Sequence, residues 1–254
     1  MFTSSYIQRD TVSNAVIERT IQKSATRIRA TADSEVKPRF ETEEDRKEFN
    51  QKRMRARHAQ FFNANFSPSS LYSTLTFSND WEVHTFDDAR RIRNNFIRRI
   101  KRAAPDAVIF LYMGRGKGTH RIHFHMVTEG APQELIEKHW LYGSIVRIEN
   151  LRENNYYDGK NYGQDYTGLA NYLFDHWTEE QGGKHYYKSM NARKPHKEDP
   201  VEVTFRYTER RTPRAPRGYV LVESKATKYG FLYFKYVKKP TERRHRQEQK
   251  NKPK

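Results

Sequence analysis

Residues 118–130 read GTHRIHFHMVTEG and place His123 and His125 two apart, in a chain with only ten histidines. The alternating apolar residues around them predict a β-strand, on which residues i and i+2 project from the same face. The two imidazoles therefore stand together, while Phe124 points the other way into a core. At that spacing two imidazoles can hold one divalent cation and leave coordination positions open for a substrate. The plainer alternative is a surface or hydrogen-bonded pair. Further on, DYTGLANYLFDHWTEEQ (165–181) gathers Tyr166, Leu169, Ala170, Leu173, Phe174 and Trp177 on one side when laid out at about 100° per residue. Tyr172 lies off that stripe, with His176 one turn later. A tyrosine in such a place is usually an amphipathic surface side chain, but beside a metal site it becomes a candidate nucleophile.

These residues need elements to position them. LYSTLTFS (71–78) alternates and is β-rich, so it predicts a strand. The helix that follows, TFDDARRIRNNFIRRIKRAA, has Thr85 as its cap and Ala89, Ile92, Phe96 and Ile100 at helical spacing. AVIFLYM (107–113) is an apolar run of strand length, joined through GRGKG to the histidine strand RIHFHMVT (121–128). PQELIEKHW predicts a short helix, GSIVRIENL a strand, and 165–181 a helix ended by Gly182 and Gly183. Further strands are expected at HYYKSM, VEVTFRYTE, GYVLVES and GFLYFKYV. The order β-α-β-β-α-β-α predicts an α+β fold, an antiparallel sheet with helices packed against it. Residues 1–65 are expected to be a polar arm carrying one helix, capped by Thr42, acidic at its start and basic in its second half. Residues 66–238 are expected to be the functional domain, and 239–254 a disordered basic tail.

The net charge of +17 favours a polyanionic partner, nucleic acid before an anionic membrane surface. Aromatics make up 13% of the chain, and rings among cations suit single-stranded nucleic acid, where bases stack while cations follow phosphates. The absence of cysteine excludes disulfides and thiolate-bound zinc. No apolar run has the length of a signal peptide or a membrane span, so a soluble, cytoplasmic protein is the expectation. GRGKGT is not a phosphate-binding P-loop, because Leu111 stands where the first glycine belongs and Lys117 is followed by Gly118. A phosphodiesterase built on two histidine motifs is excluded as well, since only one such pair exists.

The strand TLTFS, the histidine strand RIHFHMV, the helix GLANYLFDHW and the segment GGKHYYKSMNARKP together resemble the HUH endonucleases over roughly residues 70 to 195. Among these the chain is most similar to the rolling-circle replication initiators of plasmids and bacteriophages. The resemblance implies single-stranded DNA cleavage at a replication origin through a 5′-phosphotyrosine, with His123 and His125 holding Mg²⁺ or Mn²⁺. It makes Tyr172 the nucleophile and gives His176 an assisting role. Arg115, Lys117 and Arg121 would lie along the bound strand, extended by Lys184, Tyr187 and Lys188. With no ATPase motif present, unwinding and synthesis would fall to a host helicase and polymerase. Two positions depart from the pattern: Asp175 stands where these initiators commonly have lysine, and LYMGRGKG carries no glutamate. The third metal ligand is thus unassigned, His120 being expected to face away. A relaxase or transposase of the same chemistry, a non-catalytic DNA-binding regulator on the same fold, and an RNA-binding protein are the competing readings.

Overall fold

The computed structural model describes residues 6–23, 42–81, 83–116, 118, 120–227 and 230–239. In chain order its elements are β1 (Tyr6–Ser13), β2 (Val16–Lys23), α1 (Glu43–Asn65), β3 (Leu71–Thr76), α2 (Phe86–Ala103), β4 (Val108–Arg115) and β5 (Ile122–Glu129). There follow α3 (Gln133–His139), β6 (Ile145–Asn150), β7 (Tyr156–Tyr157), β8 (Lys160–Asn161), α4 (Thr167–Phe174) and a short 3₁₀ turn (Glu179–Gln181). The chain then runs through β9 (Tyr187–Lys188), β10 (His196–Lys197), β11 (Val201–Val203), β12 (Tyr219–Ala226) and β13 (Phe231–Lys238). This is an α+β chain, and it divides into two compact units.

One unit comprises Arg39–Glu153 and Tyr166–Pro195. Its sheet runs β6-β3-β5-β4-β9 with every pair antiparallel. The segment β3-α2-β4-β5-α3-β6 is a split β-α-β arrangement, so the two outer crossovers leave the histidine strand β5 at the centre of the sheet. Helix α2 forms for local reasons. Thr85 caps α2 by accepting from the Asp88 amide at 3.2 Å, Asp87 and Asp88 follow in the first turn, and Lys101 and Arg102 occupy the last. On one face of the sheet Phe96, Ile100, Ile136 and Trp140 from α2 and α3 pack on Leu75, Ile109, Leu111, Phe124 and Met126. Phe124 does point into this core, as strand alternation requires.

The opposite face, which carries the histidines, is also covered by helices. Ala59, Phe62 and Phe66 from α1 and its end, with Ala170 and Leu173 from α4, pack on Tyr72, Phe110, Tyr112 and Val127. This corrects the expectation that the first helix is only an arm. Its cap is where the sequence places it, Thr42 accepting from the Asp45 amide at 3.1 Å. Its second half, however, is core, with Phe62 wholly buried. The apolar positions are confined to the last turns, so the helix as a whole looks polar.

The second unit comprises residues 1–38, 154–165 and 196–254; its described residues include the sheet β10-β1-β2-β13-β12, with β11 also on β1, and the separate β7-β8 pair. Residues 6–23, expected in the polar arm, are instead a β-hairpin turning at Asn14 (φ 55°). Its β2 pairs with β13, so the division at 66 and 238 does not hold. The hairpin reads as polar because its charges are partnered within the sheet: Arg19 forks onto Asp10 at 2.8 and 2.6 Å. The core here is Ile17, Ile21, Phe234 and Tyr236, with Lys235 and Asp165 as a buried ion pair at 3.1 Å. Residues 241–254, the greater part of the expected tail, lie outside the described residues. No helix among the described residues is long and apolar enough to cross a membrane.

Candidate metal centre and tyrosine helix

His123 and His125 occupy the face of β5 that meets α1 and α4. In register, His123 stands opposite Thr76 of β3 and Gly114 of β4, and His125 opposite Thr74 and Tyr112. Their Nε2 atoms are 3.2 Å apart. Two unprotonated imidazole nitrogens at that distance repel, so they require either one shared proton or a cation between them.

A third imidazole completes the set. One nitrogen from each of His123, His125 and His176 lies within 4.8 Å of the others. His176 arrives from α4, whose start is fixed from outside: Asn63 of α1 accepts from the Tyr166 amide at 2.8 Å and donates to Thr167 Oγ1 at 3.2 Å. The helix is shorter than the expected 165–181 and ends at Phe174, where i→i+3 bonds from His176 to Leu173 and Trp177 to Phe174 tighten the last turn. His176 Nδ1 then donates to the Tyr172 carbonyl at 2.8 Å, satisfying one of the orphan acceptors of the helix end. Gln181 clamps the segment, its amide donating to the carbonyls of His176 (2.9 Å) and of Met113 on β4 (3.0 Å).

The partners of the other ring nitrogens orient all three groups. His125 Nδ1 lies 2.7 Å from Tyr72 Oη and 3.2 Å from Thr74 Oγ1, and His123 Nδ1 lies 3.4 Å from the Arg121 carbonyl. With each Nδ1 so engaged, each Nε2 is left for the common centre, the arrangement by which metal-binding histidines are fixed in tautomer and direction. Burial holds His125 neutral, with a pKa lowered to about 3, reinforced by His176 and His123. Burial lowers that of His123 too, with His176 adding to the effect and the Arg121 carbonyl opposing it. Gly114 makes the room: a Cβ there would sit 2.9 Å from His176 Cδ2 and 3.1 Å from His123 Nε2. The donor set, its partners and this cradle fit a divalent ion.

Tyr172 flanks the cluster. Its ring centroid is 4.5 Å from that of His176 and 6.0 Å from that of His125, and the side chain is 53% exposed. Tyr166, by contrast, is buried with its hydroxyl donating to the Arg152 carbonyl at 3.0 Å. Asp175 does not stand alone, since Arg55 of α1 reaches it at 2.6 Å.

The expected DNA-contacting residues are more dispersed. Arg115 braces the β4–β5 turn, donating to the His120 carbonyl at 2.9 Å and pairing with Glu180 at 2.6 Å. Arg121 donates to the Phe77 carbonyl at 2.8 Å. Lys117 lies outside the described residues. Lys184 is exposed, Tyr187 packs against the α2/α3 core away from the histidine face, and Lys188 Nζ sits 4.2 Å over the Phe61 ring. His120, exposed in the turn at φ 53°, takes no part in the cluster. The sequence reading missed His176 as a ligand, and with it Tyr72, Thr74 and Gly114. The alternation of LYSTLT, which aligns Tyr72 and Thr74 on one face opposite the histidines, is the signal that could have found two of them. The chain matches no protein-family model, no curated protein and no solved structure.

Proposed function

We propose that this chain cuts and rejoins single-stranded DNA by transesterification and so initiates rolling-circle replication at an origin. Tyr172 Oη attacks the phosphorus, the bond to the 3′-oxygen breaks, and a 5′-phosphotyrosine and a free 3′-hydroxyl result. The observation that carries this reading is the placement of an exposed tyrosine ring against three convergent imidazoles on a rigid sheet.

His123, His125 and His176 would hold the cation. Bound there, Mg²⁺ or Mn²⁺ supplies Lewis-acid polarisation of a non-bridging phosphate oxygen, and an all-imidazole set suits Mn²⁺ better than Mg²⁺. Tyr72 and Thr74 hold the His125 ring in its ligating orientation. His176, with Nδ1 committed to the Tyr172 carbonyl and Nε2 to the cluster, is a ligand and a spacer for Tyr172, not its base. The exposed Tyr172 hydroxyl gives up its proton to solvent. Strand separation and synthesis are left to a host helicase and polymerase.

The test is incubation with single-stranded DNA and Mn²⁺, followed by denaturing electrophoresis. A covalent protein–DNA adduct is expected from the native chain and none from Tyr172→Phe. An adduct that survives in Tyr172→Phe, or none from the native chain, overturns the reading.

A further inference from the structure

The middle of α1 does not pack against the sheet. Residues 50–57, NQKRMRAR, are all exposed, so this stretch of roughly 12 Å shows every side to solvent. It carries Lys52, Arg53, Arg55 and Arg57 and no acid. Lys52 and Arg55 stand one turn apart, a spacing at which like charges destabilise a helix, and Lys52 also pairs with Glu48 on the preceding turn. A helix segment polar on all sides also lacks the packed face that ordinarily stabilises one. Only from His58 onward does α1 bury itself against the sheet.

The segment has a definite place. Arg55 Nη2 meets Asp175 Oδ2 at 2.6 Å, and Asp175 adjoins His176 and lies three residues from Tyr172. Arg55 thus meets the end of α4 beside the exposed tyrosine. We infer that residues 50–57 of α1 are the docking surface for the phosphate backbone of the DNA strand flanking the bond at Tyr172, with Arg55 at the junction. The inference rests on the function proposed above for its choice of single-stranded DNA. Phosphates bind along the exposed cations of the segment, and Asp175 keeps Arg55 turned toward the reacting end.

The experiment measures binding of a fluorescein-labelled single-stranded oligonucleotide by anisotropy, in EDTA and over a series of salt concentrations. The triple variant Lys52→Ala, Arg55→Ala, Arg57→Ala is compared with Arg98→Ala, Arg102→Ala, Lys138→Ala. The second set removes the same charge from exposed sites on α2 and α3, across the sheet. Three lost phosphate contacts should flatten the log–log salt slope by about 2 and lower low-salt affinity by about tenfold or more, while the control stays near the native chain. Equal loss in both sets, or near-native binding by the α1 variant, overturns the inference. So does tighter binding of duplex DNA or RNA of the same length. Should the triple variant melt early, Arg57→Ala alone carries the same expectation, a slope change of about 0.7. Adduct formation by the native chain in Mn²⁺ is scored separately. Selective loss of binding without an adduct upholds the docking surface and removes the chemistry; an adduct without selective loss does the reverse.

Discussion

At the scale of single residues, the proposed chemistry would have the three imidazoles hold a cation and Tyr172 attack. Removing the Tyr172 hydroxyl leaves an exposed phenyl ring, so Tyr172→Phe should melt and bind DNA as the native chain does while forming no adduct. His176→Ala takes one of three donors and is expected to weaken Mn²⁺ binding, followed calorimetrically, by on the order of 100-fold. Tyr72→Phe removes one of the two hydroxyls that orient His125, and a loss of about 10-fold is expected. If Tyr72→Phe binds Mn²⁺ as tightly as the native chain, the 2.7 Å contact to His125 Nδ1 has no orienting role. His123 and His125 were legible because strand alternation alone puts them together. His176 as a ligand was not, since nothing in the spacing of residues 125 and 176 says that α4 docks its polar flank over β5.

At the scale of elements, the site depends on how closely α4 approaches β4. Gly114 faces His123 across the strand pair and leaves the volume that His176 enters. Gly114→Ala should push the rings apart and weaken Mn²⁺ binding by roughly tenfold, an effect on the scale of a lost orienting partner. Thermal melts should change little, because alanine suits a strand better than glycine and the rings at the site can shift. Unchanged Mn²⁺ affinity would show that the rings have slack. The strands and helices of the split β-α-β segment were readable from period and capping. The hairpin β1–β2 was not, because its partner β13 lies more than two hundred residues away and its charges are neutralised only inside the sheet.

At the scale of the whole molecule, charge and buried histidines set the response to solution conditions. His58 lies on the buried side of α1, 2.8 Å from Tyr112 Oη, with Nδ1 lacking a partner. Burial, with a smaller effect from His185, lowers its pKa from 6.5 to about 3. The unfolded chain therefore takes up this proton first, and the stability is present above pH 6.5 and lost as pH falls toward 3. One such group steepens the loss by up to about 1.4 kcal/mol per pH unit. His58→Leu with Tyr112→Phe removes both partners of the hydrogen bond together and should flatten the pH dependence of the denaturation midpoint. The same slope in variant and native chains would assign the acid sensitivity elsewhere. The excess of basic residues gives the second expectation, that deleting 241–254 lowers affinity for single-stranded DNA and flattens its salt slope without abolishing adduct formation at saturating DNA. Loss of the adduct under saturation would place part of the chemistry in the tail.

The amino-acid sequence by itself determined the α+β class, the central strand with its histidine pair, the capped helices and the basic net charge. All of these follow from short-range rules: residues two apart on a strand share a face, hydroxyls cap helix starts, and like charges sum wherever they sit. The tertiary structure decided what those rules cannot reach. It made His176 the third member of the cluster, drew the second half of α1 into the core, and assembled a separate sheet from the two ends of the chain. Each of these depends on which distant surfaces bury one another, and burial is a property of pairs of elements that no window of sequence contains.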